Sequence, residues 1–262
     1  MTSPPSSDVL PATAPTSVPL AVRFGYLVAG LGLSVGIYTS VNLWMAQEIP
    51  DRVFPTLIDD WVPFYAPTVI IYLGIYALAI APVCILNDVR VLQRGAGAYA
   101  TLLLSAVPIW VLWPVTVPRE TVPVHDLFTW GVALMRFIDP PVNCLPSMHV
   151  GETILATLLC WRLDRRAGVG IGILTALVWW STLALDQHWF VDGLSGAILA
   201  WVSYKLWFDV RPLPAVAWRA LPLTHFVWAL GLYIIQFLAA ALPWWLGLAT
   251  AEDVGGVSAL VP

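Results

Sequence analysis

Two of the four histidines in this sequence sit in segments whose residue types could do chemistry. His188 lies in Asp186-Gln187-His188-Trp189-Phe190-Val191-Asp192, and His149 closes Asn143-Cys144-Leu145-Pro146-Ser147-Met148-His149. His188 and Asp192 are four apart and would share one face of a helix. A carboxylate beside an imidazole fixes which ring nitrogen carries the proton and leaves the other free as base or nucleophile. The plain alternative, of about equal weight, is a surface histidine followed by an aspartate that caps a helix. Pro146 and Ser147 suit a helix start, where free N–H groups and the helix dipole attract an anion and the Ser147 hydroxyl adds a donor. Taken alone, that pair is an ordinary cap. Arg119, after Val115-Thr116-Val117-Pro118, offers a guanidinium fork suited to phosphate, or else a simple interfacial anchor. His125 and Asp126 read as solvated loop residues, and His225 as an interface histidine.

The elements that must position these residues are apolar helices. The chain has 262 residues, 59% hydrophobic and only 11% charged, against about 25% charged in soluble domains. Fifteen tryptophans and eight tyrosines fit the membrane–water interface, where an apolar ring and a polar N–H or O–H are both satisfied. Seven stretches approach the ~20 apolar residues that a spanning helix needs: 24–45, 66–86, 97–117, 148–166, 168–188, 190–208 and 224–249. The fourth and sixth are short, and Pro243 interrupts the seventh. Residues 1–18, rich in Pro, Ser, Thr and Ala, are expected to form a disordered tail. A membrane-embedded core over 19–208 and a C-terminal extension over 209–262 follow. The fold class is therefore all-α, a polytopic membrane helix bundle. Cys84, Cys144 and Cys160 form neither a disulfide framework nor a metal cage. With a net charge of −4 and no basic run, a nucleic-acid partner is excluded.

Basic residues set the orientation. With a cytoplasmic N-terminus, nine lie inside (Arg23, Arg90, Arg94, Arg162, Arg165, Arg166, Lys205, Arg211, Arg219) and three outside (Arg52, Arg119, Arg136). This puts the 46–65 loop, the 118–148 loop and the His188 turn together on the non-cytoplasmic side. Ionisable groups at span ends that face a bundle interior are functional candidates.

Together these segments resemble the type-2 phosphatidic acid phosphatase superfamily. Its motifs run in the order Arg, then Pro-Ser-x-His, then Ser…His-x-x-x-Asp, matching Arg119, Pro146-Ser147-Met148-His149 and Ser181…His188-x-x-x-Asp192. Asp59-Asp60-Trp61-Val62-Pro63-Phe64, Asn143, Ser181-Thr182 and Gln187-His188 are similar to the branch that includes inositol phosphorylceramide synthases. The resemblance covers roughly residues 20–208. It implies a six-helix phosphatase-type core, to which the seventh hydrophobic segment would be an addition.

The resemblance further implies that His188 attacks phosphorus to form a phosphohistidine, that Asp192 orients it, and that His149 protonates the leaving alkoxide. Arg119 and Ser147, with Asn143 and Gln187, would bind the substrate phosphate. No cofactor and no metal are implied. The expected partners are a lipid phosphate substrate, the bilayer and, for head-group transfer, an alcohol acceptor. Two positions depart from the superfamily pattern, Leu112 in place of a Lys and Thr182 in place of an Arg, and a third departs from the nearer branch, Asp186 in place of a Lys. Less positive charge leans toward a monoanionic diester and toward transfer. Glu152, three residues after His149, is expected to face the same cleft. The rival reading is a non-catalytic protein that binds or moves a lipid head group on the same fold. A transporter is less favoured, because no inverted repeat is visible.

Overall fold

A computed structural model describes residues 18–48 and 50–247. Of the expected N-terminal tail, only Val18 falls among the described residues, and it is buried; the rest lies outside them. The described residues form nine α-helices: α1 (Leu20–Met45), α2 (Val69–Tyr72), α3 (Ile75–Ile85), α4 (Val89–Leu112), α5 (Leu127–Ile138), α6 (Met148–Leu163), α7 (Arg165–Ala184), α8 (Phe190–Phe208) and α9 (Val227–Trp245). All seven expected spans are present as helices. Five are long and apolar enough to cross a membrane: 20–45, 66–85, 89–112, 165–184 and 223–245.

Of the two expected spans that fall short of that standard, α6 occupies the centre, while α8 packs on α4 and α6 and keeps an exposed outer face. α6 packs against α3, α4, α7 and α8. Helix faces enclosed by protein can carry polar residues that a lipid-facing surface cannot, and the inward faces of α6 and α8 bear His149 and Asp192, both buried. Glycines bring them together. A Cβ on Gly196 of α8 would fall on the Ser147 carbonyl at the start of α6, and one on Gly193 would strike the Trp179 indole of α7.

Several boundaries differ from the expected ones, each for a local reason. The second span is not continuous: a turn of 3-10 helix (Ala66–Thr68) and the short α2 are separated from α3 by a turn at Leu73 and Gly74. The third span starts at Val89, because the Asp88 carboxylate caps it through the Arg90 N–H at 2.8 Å. It ends at Leu112, because Pro114 pushes Trp113 out of the helical region. Arg119 therefore lies beyond the third span, on an extended segment. α6 stops at Leu163, and Asp164 caps α7 through the N–H groups of Arg166 and Ala167. α7 stops at Ala184, two residues before Asp186 adopts a positive φ of 53°. The 118–148 segment is not wholly loop: α5 forms within it, and Asp126, expected as a solvated residue, caps α5 by accepting from the Thr129 N–H at 2.8 Å.

The C-terminal hydrophobic segment packs on α3 and α5. Trp130 Nε1 donates to the Ala240 carbonyl at 2.9 Å, and the Tyr233 hydroxyl donates to the Ile70 carbonyl at 3.0 Å. By contrast α1 is largely exposed and touches mainly α3 and α4. Polar bonds hold it: buried Arg23 donates to the Val83 carbonyl at 2.7 Å, and Ser34, Tyr38 and Asn42 reach inward at four-residue spacing.

Candidate active site

Three connecting segments converge above the central helices. The extended segment after α4 is held by the Thr116 N–H donating to the Arg52 carbonyl at 2.9 Å and the Cys144 N–H donating to the Val115 carbonyl at 3.2 Å. Trp189 Nε1 donates to the Thr116 carbonyl at 2.9 Å, and Trp110 Nε1 to the Pro146 carbonyl at 3.2 Å. From the first loop, Asp59 Oδ1 accepts from the Phe190 N–H at 2.7 Å, so a distant carboxylate caps the helix that carries Asp192.

At the convergence, His149 Nδ1 and His188 Nε2 are 2.9 Å apart, a hydrogen bond between the two imidazoles. Behind His188, Nδ1 stands 3.6 Å from Asp192 Oδ2. That oxygen accepts from the Trp189 N–H at 2.8 Å. The two readings of Asp192, cap and histidine partner, are thus compatible: one carboxylate does the first and sits beside the imidazole for the second. His188 lies in the turn before α8 rather than on the helix itself. Its Nδ1 and Asp192 Oδ1 are buried without a hydrogen-bond partner. Buried unpaired polar atoms are costly, and a small shift of the ring would bring Nδ1 within hydrogen-bond reach of Asp192 Oδ2.

Sequence reasoning missed the arrangement behind His149. Its Nε2 is 3.0 Å from the Tyr72 hydroxyl and 3.8 Å from Asp139 Oδ2. Asp139 is in turn fixed by the Tyr38 hydroxyl at 2.7 Å and Asn42 Nδ2 at 2.9 Å. Each histidine therefore has its own carboxylate. The signal was available: Ser34, Tyr38 and Asn42 form a polar stripe at helical spacing on an otherwise apolar span, which needs inward-facing partners.

Among the residues expected to bind phosphate, Ser147 is fully buried and caps α6 through the Val150 N–H at 3.4 Å. The Asn143 carbonyl oxygen accepts from Asn42 at 3.0 Å, while its Nδ2 is buried without a partner. Gln187 Oε1 accepts from Arg119 Nη2 at 2.9 Å. Arg119 also donates through Nη1 to the Asp139 carbonyl at 2.8 Å and through Nε to the Asp186 carbonyl at 3.1 Å. A guanidinium has five N–H groups, so these three bonds tie the loops together and leave two for a ligand. Asp186 turns away from the histidines and pairs with Arg136 at 3.3 Å. Burial raises the Asp186 carboxyl pKa from its ordinary value, against the pull of Arg136 and Arg119. Glu152 does not join the histidines; its Oε1 accepts from the Ser34 hydroxyl at 3.2 Å. His125 is exposed, as expected of a solvated residue.

The metal question turns on donors. Cys144, His188 and Asp192 place one ligand atom each within 4.8 Å of one another. Three donors fall short of a structural zinc set, and burial pushes the Cys144 thiol pKa up, which disfavours the thiolate a metal would bind.

This is a site of two interacting histidine–carboxylate pairs under an arginine, built into a membrane helix bundle. The chain belongs to the PAP2 superfamily, whose sequence profile matches residues 58–206, more than half of its length. It is also similar to an inositol phosphorylceramide synthase of Candida albicans (strain SC5314 / ATCC MYA-2876), 37% identical over 81 residues. That similarity covers 30% of this chain and 16% of the relative. No solved structure matches the chain.

Proposed function

We propose that this integral membrane protein transfers the phosphoryl-bearing group of a lipid phosphoester through a phosphohistidine at His188. The observation that carries the reading is the direct contact of His188 Nε2 with His149 Nδ1, each ring backed by its own carboxylate. His188 Nε2 attacks phosphorus while the bond from phosphorus to the lipid oxygen breaks. The leaving oxygen takes its proton from His149. A water or an alcohol hydroxyl then attacks phosphorus, gives its proton to His149, and the phosphorus–nitrogen bond breaks. Phosphoryl transfer depends on in-line positioning and charge stabilisation. Arg119, the unpaired Asn143 Nδ2 and the N–H groups at the start of α6 are the available donors.

The proposed chemistry needs no metal, because nucleophile, acid and orienting carboxylate are all supplied by His188, His149 and Asp192. Purified protein given a lipid phosphoester labelled with radioactive phosphorus should form an acid-labile phosphoenzyme on His188, in excess chelator as in its absence. A phosphoenzyme that disappears on chelation and returns with zinc or magnesium would refute the metal-free chemistry. No phosphoenzyme and no turnover with any phospholipid would favour head-group binding instead.

The site is proposed to face the non-cytoplasmic side. The two sets of basic residues gather at opposite ends of the bundle: Arg23 contacts Val83 and Cys84, and Arg94 donates to the Trp207 and Arg211 carbonyls, whereas Arg52, Arg119 and Arg136 surround the site. The nine-to-three asymmetry supports a cytoplasmic location for the larger set. The three native cysteines are buried, which keeps background labelling low. On intact cells, an impermeant thiol reagent should label Glu120→Cys and spare Arg165→Cys. The opposite pattern reverses the topology.

A further inference from the structure

One helical turn below His149, a cavity of about 370 Å³ opens between α1 and the α3, α4 and α6 core. That volume lies within the ~300–1,000 Å³ usual for ligand pockets. Its walls are almost wholly apolar, from Leu27 on α1, Ile80 on α3, Leu92 and Leu103 on α4, and Leu159 and Leu163 on α6. Several lining residues, among them Ala29, Gly30 and Ala96, are also exposed on the outside of the bundle, so the cavity communicates with the surface that faces lipid. Glu152 interrupts the apolar wall on the turn nearest the histidines, with Ser34 bonded to its Oε1. Among the described residues no other side chain hydrogen-bonds that carboxyl. A carboxyl in apolar surroundings with a single hydroxyl partner is poorly satisfied.

We propose that this cavity holds one hydrocarbon chain of the lipid whose phosphate reacts at His188, and that the Ser34–Glu152 pair selects a lipid bearing a hydroxyl or amide N–H donor where its chain meets its head group. The geometry fits one molecule spanning both places. α6 carries His149 and Glu152 three residues apart, and α1 carries Ser34 against Glu152 and Tyr38 against Asp139 one turn away. A phosphate at the histidines would thus leave the first carbons of the lipid level with Glu152 and its chain between the leucines. α1 has few contacts with the core, which leaves a lateral path for the chain from the bilayer.

The inference rests on the phosphoester reading, and its test is binding, which requires no turnover. The full chain in lipid nanodiscs is irradiated with a ceramide 1-phosphate that carries a diazirine at the end of its acyl chain. Cross-links are expected to concentrate on the α1, α4 and α6 faces around Leu27, Leu103 and Leu159. Gly95 lines the cavity, and a Cβ there meets Leu159 at an ordinary 3.8 Å. Gly95→Phe, or Gly95→Leu if the larger residue prevents folding, should lower that labelling about tenfold. Gly170→Phe, in open space on α7, should leave it unchanged. Unlabelled ceramide 1-phosphate, with its hydroxyl and amide donors, should compete about tenfold better than chain-matched diacyl phosphatidate, as one charge-assisted hydrogen bond allows. Glu152→Leu should abolish the difference. Labelling spread evenly over α7 and α9 would mean bulk bilayer contact and overturn the proposal. Equal competition by the two lipids in the wild type would overturn the selection. Cavity labelling in a protein that turns over no phospholipid would instead remove the phosphoester reading while keeping the chain site.

Discussion

His188→Ala is expected to be inactive on every substrate, whereas His149→Ala is expected to recover most of its activity when the leaving group needs no proton. In the proposed mechanism the difference follows from what each ring supplies. Without His188 the phosphorus–nitrogen bond cannot form, whatever leaves. His149 supplies a proton, and an alkoxide from a glycerol or ceramide hydroxyl departs poorly without one. General acid catalysis of this kind commonly contributes ~10²–10⁴-fold, so His149→Ala should fall by about that factor on a natural lipid. A nitrophenolate is stable as an anion, so on a nitrophenyl phosphate ester the same variant should be within about tenfold of wild type. The measurement is a two-by-two comparison of rates in detergent. Equal impairment of His149→Ala on both substrates would assign it to phosphate binding. Rescue of His188→Ala by the activated ester would exchange the two roles.

The same contact explains why the site must move to work. With the two nitrogens 2.9 Å apart, there is no room for phosphorus between nucleophile and acid. A near-attack geometry alone needs about 3–3.5 Å from nucleophile to phosphorus. If His188 presents Nδ1–H to Asp192, its Nε2 lone pair accepts from His149 Nδ1–H, and a doubly protonated His149, competent as an acid, donates Nε2–H to the Tyr72 oxygen beside Asp139 while the Tyr72 hydroxyl donates to Asp139 Oδ2. These tautomers are assigned from the network. They leave the nucleophile covered by the acid's own proton until a substrate parts the rings. Asp139 and Asp192 stay behind as fixed carboxylates, so each ring can swing without losing its partner.

Much of this was legible in the residues. Five of the seven apolar stretches have the length and composition that lipid demands, and the other two form helices packed against their neighbours. Ser147 caps a helix as its type suggests, and Asp192 lies beside His188, although His188 sits in the turn before α8 and not on the same helix face. What was not legible depended on contacts between distant segments. Asp139 sits in an unremarkable Asp-Pro-Pro stretch, and only folding shows that α1 reaches it through Tyr38 and Asn42. Asp186, which departs from a basic residue in the family pattern, also read differently in place. Its positive φ turns its carbonyl toward Arg119 and its carboxylate toward Arg136, so it is spent on loop structure, away from the phosphate. Asp tolerates that backbone conformation better than most residues. Glu152 shares a helix face with His149 by spacing, but it lies one level deeper in the bundle, where its carboxyl meets Ser34 of α1 and not the histidines.

Arg119→Ala should lower turnover by ~10²–10³, the usual cost of removing one preorganised partner of a developing oxyanion. The structure adds a second effect that must be separated from the first. Arg119 satisfies the carbonyls of Asp139 and Asp186 and the side chain of Gln187, and so ties the loop of His149's carboxylate to the turn that holds His188. Loss of those bonds leaves part-buried acceptors unpaired, at about 1–3 kcal/mol each where water cannot replace the arginine. The variant should therefore unfold at lower temperature as well as turn over more slowly. Arg119→Lys separates the two, because an ammonium keeps the charge but cannot reach three divergent acceptors and a phosphate at once. If transition-state charge dominates, the lysine variant should keep more activity than the alanine variant while sharing its loss of thermal stability. Added guanidinium ion, which can reoccupy the fork's place, should raise kcat in the alanine variant without altering the wild type. A stable and nearly fully active Arg119→Ala would move the phosphate contact to Asn143 and the start of α6, and would leave Arg119 with no part in the chemistry.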